Sequence, residues 1–401
     1  MKVLVSIFEE LYPLSGGGSP RISNIIRAFA RAGHEVIVAG GINSPDSEAL
    51  EYLGASRLVR LKSVSRLDPG KMKKYLAAHP VNIRRLVSSI RRHRPDLVVS
   101  HNTIVGYGAL WGRRLSGKKP LLVLNLTDVL FEYLDDYNEG GWLKAVQRGG
   151  RRMETAAIQG TDRVITISRA MKEIVEGYGF PAERIDVVCD GVDTSIFRRQ
   201  DATDLRARHA PDSEGVILFQ GVIDPQDGPD LLAEAARLVL AKHPRANFWI
   251  VGEGSAIPSL RKQVSDLGMS ERFFFSGWVT QPEVARFLNA GDIGLVILPD
   301  ILSARGRVTL KEFEYWACGL SVVAPRLPAL EEVIVEGENG LFYPPGRADL
   351  MAEVICRLLE DPELSRRLAG AGQRLVEEEY RWDKLADEFV SLCRAYLDSG
   401  S

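Results

Sequence analysis

The sequence predicts an α/β protein built from two doubly wound parallel sheets, and three observations carry that expectation. Short β-branched runs alternate with amphipathic stretches along the whole chain. The runs are apolar at consecutive positions rather than at every second one, as strands covered by helices on both faces require. The series stops midway and restarts, and 401 residues suit two cores better than one.

Element by element, KVLVSIF from Lys2 is the first strand, and a helical pattern follows over 20–32. EVIVAG from Glu35, DLVVS from Asp96, PLLVLNL from Pro120, RVITIS from Arg163 and RIDVVC from Arg184 continue the first series. Alternation of strand and helix calls for parallel pairing through crossover helices. The polar segment 196–213, with Pro211, reads as a linker. The second series is GVILFQG from Gly215, NFWIVGEG from Asn247, RFFFSG from Arg272, DIGLVIL from Asp292 and LSVVAP from Leu320. A charged helical stretch over 361–397, with Trp382 near its middle, ends the pattern. The predicted domains are 1–195 and 214–381, with a helix at about 382–399 completing the first. Ligands of open parallel sheets bind beyond the carboxyl ends of the strands. Two such sheets in tandem are therefore expected to face one cleft, suited to joining two substrates.

Composition narrows the class. No run approaches the roughly 18 apolar residues that span a bilayer. The acidic pair Glu9–Glu10 directly after the first apolar run marks it as a strand rather than a signal peptide. Cys189, Cys318, Cys356 and Cys393 lie far apart with no CxxC pair. That fits a reducing cytosol and argues against a disulfide framework and a zinc site. Residues 1–190 carry 28 Lys+Arg against 20 Asp+Glu, and the rest of the chain 23 against 33. Pairs such as Arg84/Arg85, Arg91/Arg92, Arg113/Arg114 and Lys118/Lys119 punctuate the basic half. They suit a phosphate-rich partner such as anionic lipid, and solvated helix faces explain them equally well. No nucleic-acid motif accompanies them.

Four segments could carry chemistry. Gly16, Gly17 and Gly18 lie between the first strand and the first helix, followed by Ser19 and Pro20. Glycines let backbone N–H groups approach a ligand, Ser19 suits an N-cap, and Pro20 suits the first helical position. The helix N-terminus then favours an anion, although such a turn is often only a turn. Gly221 and Gly228 frame the loop after the first strand of the second series, which read blandly is a β–α connection. Lys311 and Glu314 share a helix face ahead of a cap at Gly319, and Arg305 and Arg307 add positive charge just before it. A cation beside a carboxylate suits a phosphate and a ribose hydroxyl pair; a surface ion pair is the bland reading. Residues 330–334 and 338–341 read as a short helix, a turn and a returning strand.

Taken together, these segments resemble the retaining GT-B transferases of glycosyltransferase family 4 over nearly the whole chain. The marks are RAGHEVIVAG (31–40), DRVITIS (162–168), DGVDTSIF (190–197), EYWACGLSVVAP (314–325) and EGENGLFYPPG (336–346). The resemblance implies a GT-B fold with the acceptor met by the first half and the donor by the second. Glu314 matches the second glutamate of the family's E-x7-E motif, which binds the donor ribose. Gly16 to Gly18 match the loop that touches the donor diphosphate, and Gly221 and Gly228 match the donor-loop glycines. Gly277, Trp278 and Val279 match the segment that lines the base. NLTDVLFE (125–132) resembles a segment of transferases acting on lipid-linked glycans, which places Asp128 near the transferred sugar or the acceptor hydroxyl. His101, at the end of DLVVS, is a further catalytic candidate. The family's first motif glutamate falls at Gly306, and its donor-loop Arg and Lys fall at Val222 and Asp227. These departures read as subfamily character, with Lys311, Arg305 or Arg307 supplying the charge for phosphate.

The expected activity is transfer of a sugar from a nucleotide-diphosphate sugar to an acceptor hydroxyl with retention, with no metal or other cofactor. Lys311 and the glycine turn would stabilise the departing diphosphate. The acceptor is expected to be a glycan, or one linked to lipid, in cell-surface polysaccharide or lipid-linked glycan synthesis. The protein is expected in the cytoplasm, peripheral on the inner face of the membrane. A non-catalytic nucleotide-sugar-binding scaffold and a nucleotide-sugar 2-epimerase are the alternatives.

Overall fold

The computed structural model describes residues 1–12, 14, 18–62, 72–129, 131, 141–225 and 228–399. They form two compact units, one of residues 1–189 with the stretch from Asp383, the other of residues 190–382.

The first unit opens with β1 (Lys2–Tyr12), α1 (Gly18–Arg31), β2 (Glu35–Ile42), α2 (Asp46–Leu53), β3 (Arg57–Arg60) and α3 (Met72–His93). It continues with β4 (Leu97–His101), α4 (Asn102–Ser116), β5 (Leu121–Leu126), α5 (Gly141–Gly160), β6 (Arg163–Thr166), α6 (Arg169–Gly177) and β7 (Ile185–Val187). The strands run parallel in the order β3-β2-β1-β4-β5-β6-β7. Every position of β4 and β5 is buried, as their unbroken apolar runs require. The chain leaves β1 toward β2 and β3, then returns to β4 on the other side of β1. The carboxyl ends of β1 and β4 therefore form the topological switch point, where a doubly wound sheet offers its ligand crevice. His101 is the last residue of β4, and Gly18, the first of α1, lies beside it.

The second unit holds α7 (Thr203–His209), β8 (Gly215–Gln220), α8 (Pro229–Lys242), β9 (Ala246–Val251), α9 (Ile257–Asp266), β10 (Phe273–Phe275) and α10 (Gln281–Asn289). After them come β11 (Ile293–Leu295), α11 (Leu302–Arg305), α12 (Lys311–Cys318), β12 (Ser321–Pro325), β13 (Gly340–Tyr343), α13 (Ala348–Glu360) and α14 (Pro362–Glu379). Its parallel strands order as β10-β9-β8-β11-β12-β13, so the switch point lies at the ends of β8 and β11. Helix α12 is pinned behind it. The Tyr315 ring covers Gly294, where an added Cβ would lie 2.3 Å from the ring, and Trp316 Nε1 donates to Asn339 O at 2.8 Å. The last helix, α15 (Trp382–Asp398), packs on the first unit, with Phe389 edge-on to Phe29 and Tyr396 Oη donating to Asp186 at 2.5 Å.

Segment 196–213 is not a linker but part of the second unit. Its one helix, α7, buries Leu205, and Arg206 pairs with Asp292 at 2.8 Å while Arg199 Nη1 donates to Cys318 O at 2.9 Å. A single buried residue among the seven of α7 leaves its composition polar, which is why the sequence reads as solvated. The charged stretch over 361–397 is two helices, broken at Tyr380–Arg381. Among the described residues, no helix is long and apolar enough to cross a membrane.

Candidate functional site

In the first unit the crevice is built around His101, the last residue of β4, which is fully buried. Its Nδ1 lies 2.9 Å from Asn125 Nδ2 on the neighbouring strand β5. Arg21, in the first turn of α1 and 1% exposed, donates from Nε and Nη2 to Asn125 Oδ1 at 3.0 and 2.9 Å. Its Nη1 and Nη2 also donate to Cys189 O and Val188 O, each at 3.0 Å. Burial, with the positive charge of Arg21 second, drives the His101 imidazole down to about 3, so it is neutral at physiological pH.

Only glycine fits at position 18. A Cβ there would lie 2.6 Å from His101 Nε2 and 3.0 Å from Glu9 Oε2. Ser19 lies inside α1, which starts at Gly18, rather than at its N-cap, and its hydroxyl donates to Glu10 O at 2.6 Å, tying the helix start to β1. Gly16 and Gly17 lie outside the described residues. Beside His101, Asn102 adopts φ 66°, a left-handed conformation that Asn tolerates better than most residues. Its Oδ1 accepts from Thr127 N and Oγ1 at 3.0 and 3.1 Å, holding the loop that carries Asp128. Asp128 is half-buried just past the end of β5.

In the second unit, glycines zip together the loops after β8 and β9. Gly221 has φ 118° and Gly252 φ 130°. A Cβ on Gly252 would lie 2.0 Å from Gly221 O, and one on Gly254 2.0 Å from Ile223 O. The contact is hydrogen-bonded throughout: Gly221 N to Val251 O, Ile223 N to Glu253 O, and Ala256 N to Ile223 O, at 3.0, 3.0 and 3.1 Å. Ser255 adds N and Oγ donors to Asp224 Oδ1 at 3.0 and 2.8 Å. Gly228, at φ 63°, precedes Pro229 at the start of α8; a Cβ on it would lie 2.9 Å from Ile297 Cγ2. The intervening Asp227 lies outside the described residues. Gly277 (φ 69°) bridges to Gly252 after β10, and the next residue, Trp278, is 69% exposed, with Val279 half-buried beside it.

Lys311 and Glu314 sit one helical turn apart on α12, behind this loop. The Lys311 Cε lies 3.2 Å from where a Gly221 Cβ would be, and its Nζ 4.9 Å from the centre of the Phe219 ring. Glu314 Oε2 accepts from the side-chain amide of Gln220, the last residue of β8. Burial pushes the Glu314 carboxyl up to about 7; the Gln220 hydrogen bond and Lys311 oppose the shift and Glu312 adds to it. The side chain is only half-buried, so solvent at its open edge moderates the effect. Glu312 points the other way, fully buried, and accepts from Thr309 N at 2.7 Å and from the Thr309 hydroxyl.

The arginines expected beside Lys311 behave differently. Arg305 is exposed and engaged by Asp300, from Nε at 2.6 Å and Nη2 at 3.1 Å, so its charge is already spent on a carboxylate. Arg307 is half-buried. Among the described residues no cluster of His, Cys, Asp and Glu is arranged as metal ligands would be. Arg21, Asn125, Gln220 and the Gly252–Gly254 turn belong to these sites although sequence reasoning did not single them out. The turn had a signal, glycines at alternate positions directly after the apolar run NFWIV.

Comparison with known proteins agrees with this geometry. Residues 15–196 match the model of Glycosyltransferase Family 4, and residues 214–361 match that of Glycosyl transferases group 1. A D-inositol 3-phosphate glycosyltransferase of Acidothermus cellulolyticus is 32% identical over 266 residues, 63% of this chain and 58% of that relative. The match thus spans less than two thirds of that relative's length. Its counterpart in Pseudarthrobacter chlorophenolicus is 28% identical over 396 residues, 96% of this chain and 91% of that protein. Among solved structures, sucrose-phosphate synthase from Thermosynechococcus elongatus superposes with TM-score 0.82 at 19% identity, covering 100% of both chains. Anabaena HepE in complex with UDP and glucose superposes with TM-score 0.78 at 18% identity, covering 98% of this chain and 100% of that one. Two doubly wound sheets, glycine-built loops at their switch points and these matches over most of the sequence show that the chain belongs to glycosyltransferase family 4, in the GT-B fold.

Proposed function

We propose that this chain transfers a sugar from a nucleotide-diphosphate sugar to an acceptor hydroxyl with retention of anomeric configuration. The observation that carries the reading is the pairing on α12. The Glu314 carboxylate is held at the carboxyl end of β8 by Gln220, and the Lys311 ammonium lies one turn away against Gly221. A carboxylate there accepts from both ribose hydroxyls, and an ammonium beside glycine-exposed backbone receives a diphosphate. Lys311 takes the part of a cation on the departing diphosphate, so no metal is invoked. Trp278 and Val279 are the surface for the base. His101 and Asp128, at the ends of β4 and β5, are the first unit's groups for the sugar.

Solved relatives of this fold hold UDP, glucose and UDP-glucose, which supports a nucleotide-sugar donor. Relatives named for D-inositol 3-phosphate support an acceptor that carries phosphate, and the basic first unit suits such an acceptor, including a lipid-linked one at an anionic membrane face. A thermal-shift screen against UDP-, GDP-, ADP- and dTDP-sugars, followed by transfer assays, tests the reading. A stabilising donor with turnover supports it, and no stabilisation by any of them overturns it. Gly306 and Val222, uncharged at the positions where the family resemblance implies a glutamate and an arginine, favour a second reading as a binding scaffold; tight binding without turnover over a panel of phosphate-bearing acceptors would select it.

A further inference from the structure

A guanidinium carries only donors, so the Asn125 atom that faces Arg21 must be the carbonyl oxygen. That fixes the amide, and its NH2 therefore faces His101 and donates to Nδ1. A ring nitrogen that accepts carries no proton, so the neutral imidazole must hold its proton on Nε2. This Nε2 is buried and, among the described residues, meets no acceptor. It faces the start of α1, where Gly18 leaves out a side chain and the first backbone N–H groups of the helix lack partners within it. A buried donor left unpaired is costly, and a bound oxygen at this point would relieve it.

We infer that Arg21 and Asn125 are positioning residues that hold His101 as a permanent Nε2–H donor for an oxygen of the bound sugar nucleotide. His101 then orients the substrate and does not serve as a base. Among the described residues, the charged groups beside it are Arg21 from α1 and Glu9 from β1, whose Oε2 would lie 3.0 Å from a Gly18 Cβ. Burial and Arg21 both disfavour the imidazolium. The choice of oxygen rests on the transferase reading above, but the tautomer does not.

Long-range ¹H–¹⁵N NMR of the histidine-labelled chain decides the tautomer without substrate, and the loss of one of six ring systems in His101→Gln assigns the signal. The expected spectrum shows a neutral ring protonated on Nε2, unchanged from pH 5.5 to 8. A ring protonated on Nδ1, or one that titrates in that window, overturns the inference. Asn125→Asp offers His101 an acceptor in place of a donor and is expected to move the proton to Nδ1 and lower kcat/KM by at least about 10-fold at retained fold. Arg21→Lys keeps a donor against the amide and is expected to restore much of the activity and tautomer that Arg21→Met loses. Equal activity and tautomer in Arg21→Lys and Arg21→Met would contradict the positioning role.

Adding the stabilising nucleotide sugar is expected to shift the His101 Nε2 signal. A shift with the nucleoside diphosphate alone identifies a phosphate oxygen, and a shift only with the full donor identifies a sugar hydroxyl. If a donor binds and the signal stays still, the ligand contact is wrong. If no donor binds, the transferase reading falls while the free spectrum still decides the tautomer.

Discussion

Gln220, the last residue of β8, donates its side-chain amide to Glu314 on α12, so the carboxylate proposed to bind ribose is aimed by the strand whose end forms the switch point. A rigid partner of this kind sets the geometry of the acceptor oxygens before any ligand arrives.

Removing that carboxylate should weaken donor binding more than the chemical step. Glu314→Ala is expected to raise the donor dissociation constant by roughly 10- to 100-fold, the range for hydrogen bonds to a charged group. Calorimetric titration checks it. Gln220→Ala, which frees the carboxylate without deleting it, should cost less.

The two cations near α12 should separate. Lys311 lies against the loop glycine, whereas Arg305 is engaged by Asp300 on an exposed surface. Lys311→Ala is expected to lower kcat/KM by at least about 10-fold, and Arg305→Ala to stay within about 2-fold. Steady-state kinetics on both variants reads the difference, and the reverse order would move the phosphate site to Arg305.

Glu312 supplies a pH dependence. Burial pushes its carboxyl up to about 7, above the ordinary value it regains on unfolding. Between the two values the folded state binds the proton more tightly. The resulting stability is fully present below the unfolded value and is lost as pH rises through about 7. Glu312→Gln stays neutral throughout. Its urea midpoint should match wild type at pH 4 and exceed it at pH 8. A gap that does not change with pH would show that hydrogen bonding to Thr309, not charge, governs the site.

Gly252 should tolerate no side chain. Alanine there meets both a φ of 130° and a carbonyl oxygen 2.0 Å from its Cβ. Gly252→Ala is expected to cost on the order of 2 kcal/mol or more and to part the loops after β8 and β9. Hydrogen exchange at Gly221 N and Ile223 N, which bridge them, would report the parting.

Both sheets were legible in the sequence because buried parallel strands are apolar at successive positions, as in LVVS of β4 and GVILF of β8. The half-exposed edge strand β3, RLVR, lacks that signal, and α7 shows one apolar residue to the core. Lys311, Glu314, Gly221 and Gly228 could be named as candidates because a helix turn and loop glycines carry local marks. Arg21 and Asn125 are 104 residues apart along the chain and Asn125 and His101 are 24 apart, and only the pairing of β1, β4 and β5 brings them together. No local pattern announces such a network, and an arginine in the first turn of a helix reads as a surface charge.

The most direct test compares the best-binding nucleoside diphosphate with its 2′,3′-dideoxy analogue in wild type and Glu314→Ala by calorimetry. If the ribose hydroxyls dock on Glu314, wild type should prefer the natural nucleotide by at least about 10-fold and the variant should bind both alike. An undiminished preference in Glu314→Ala would place the ribose elsewhere and contradict the account.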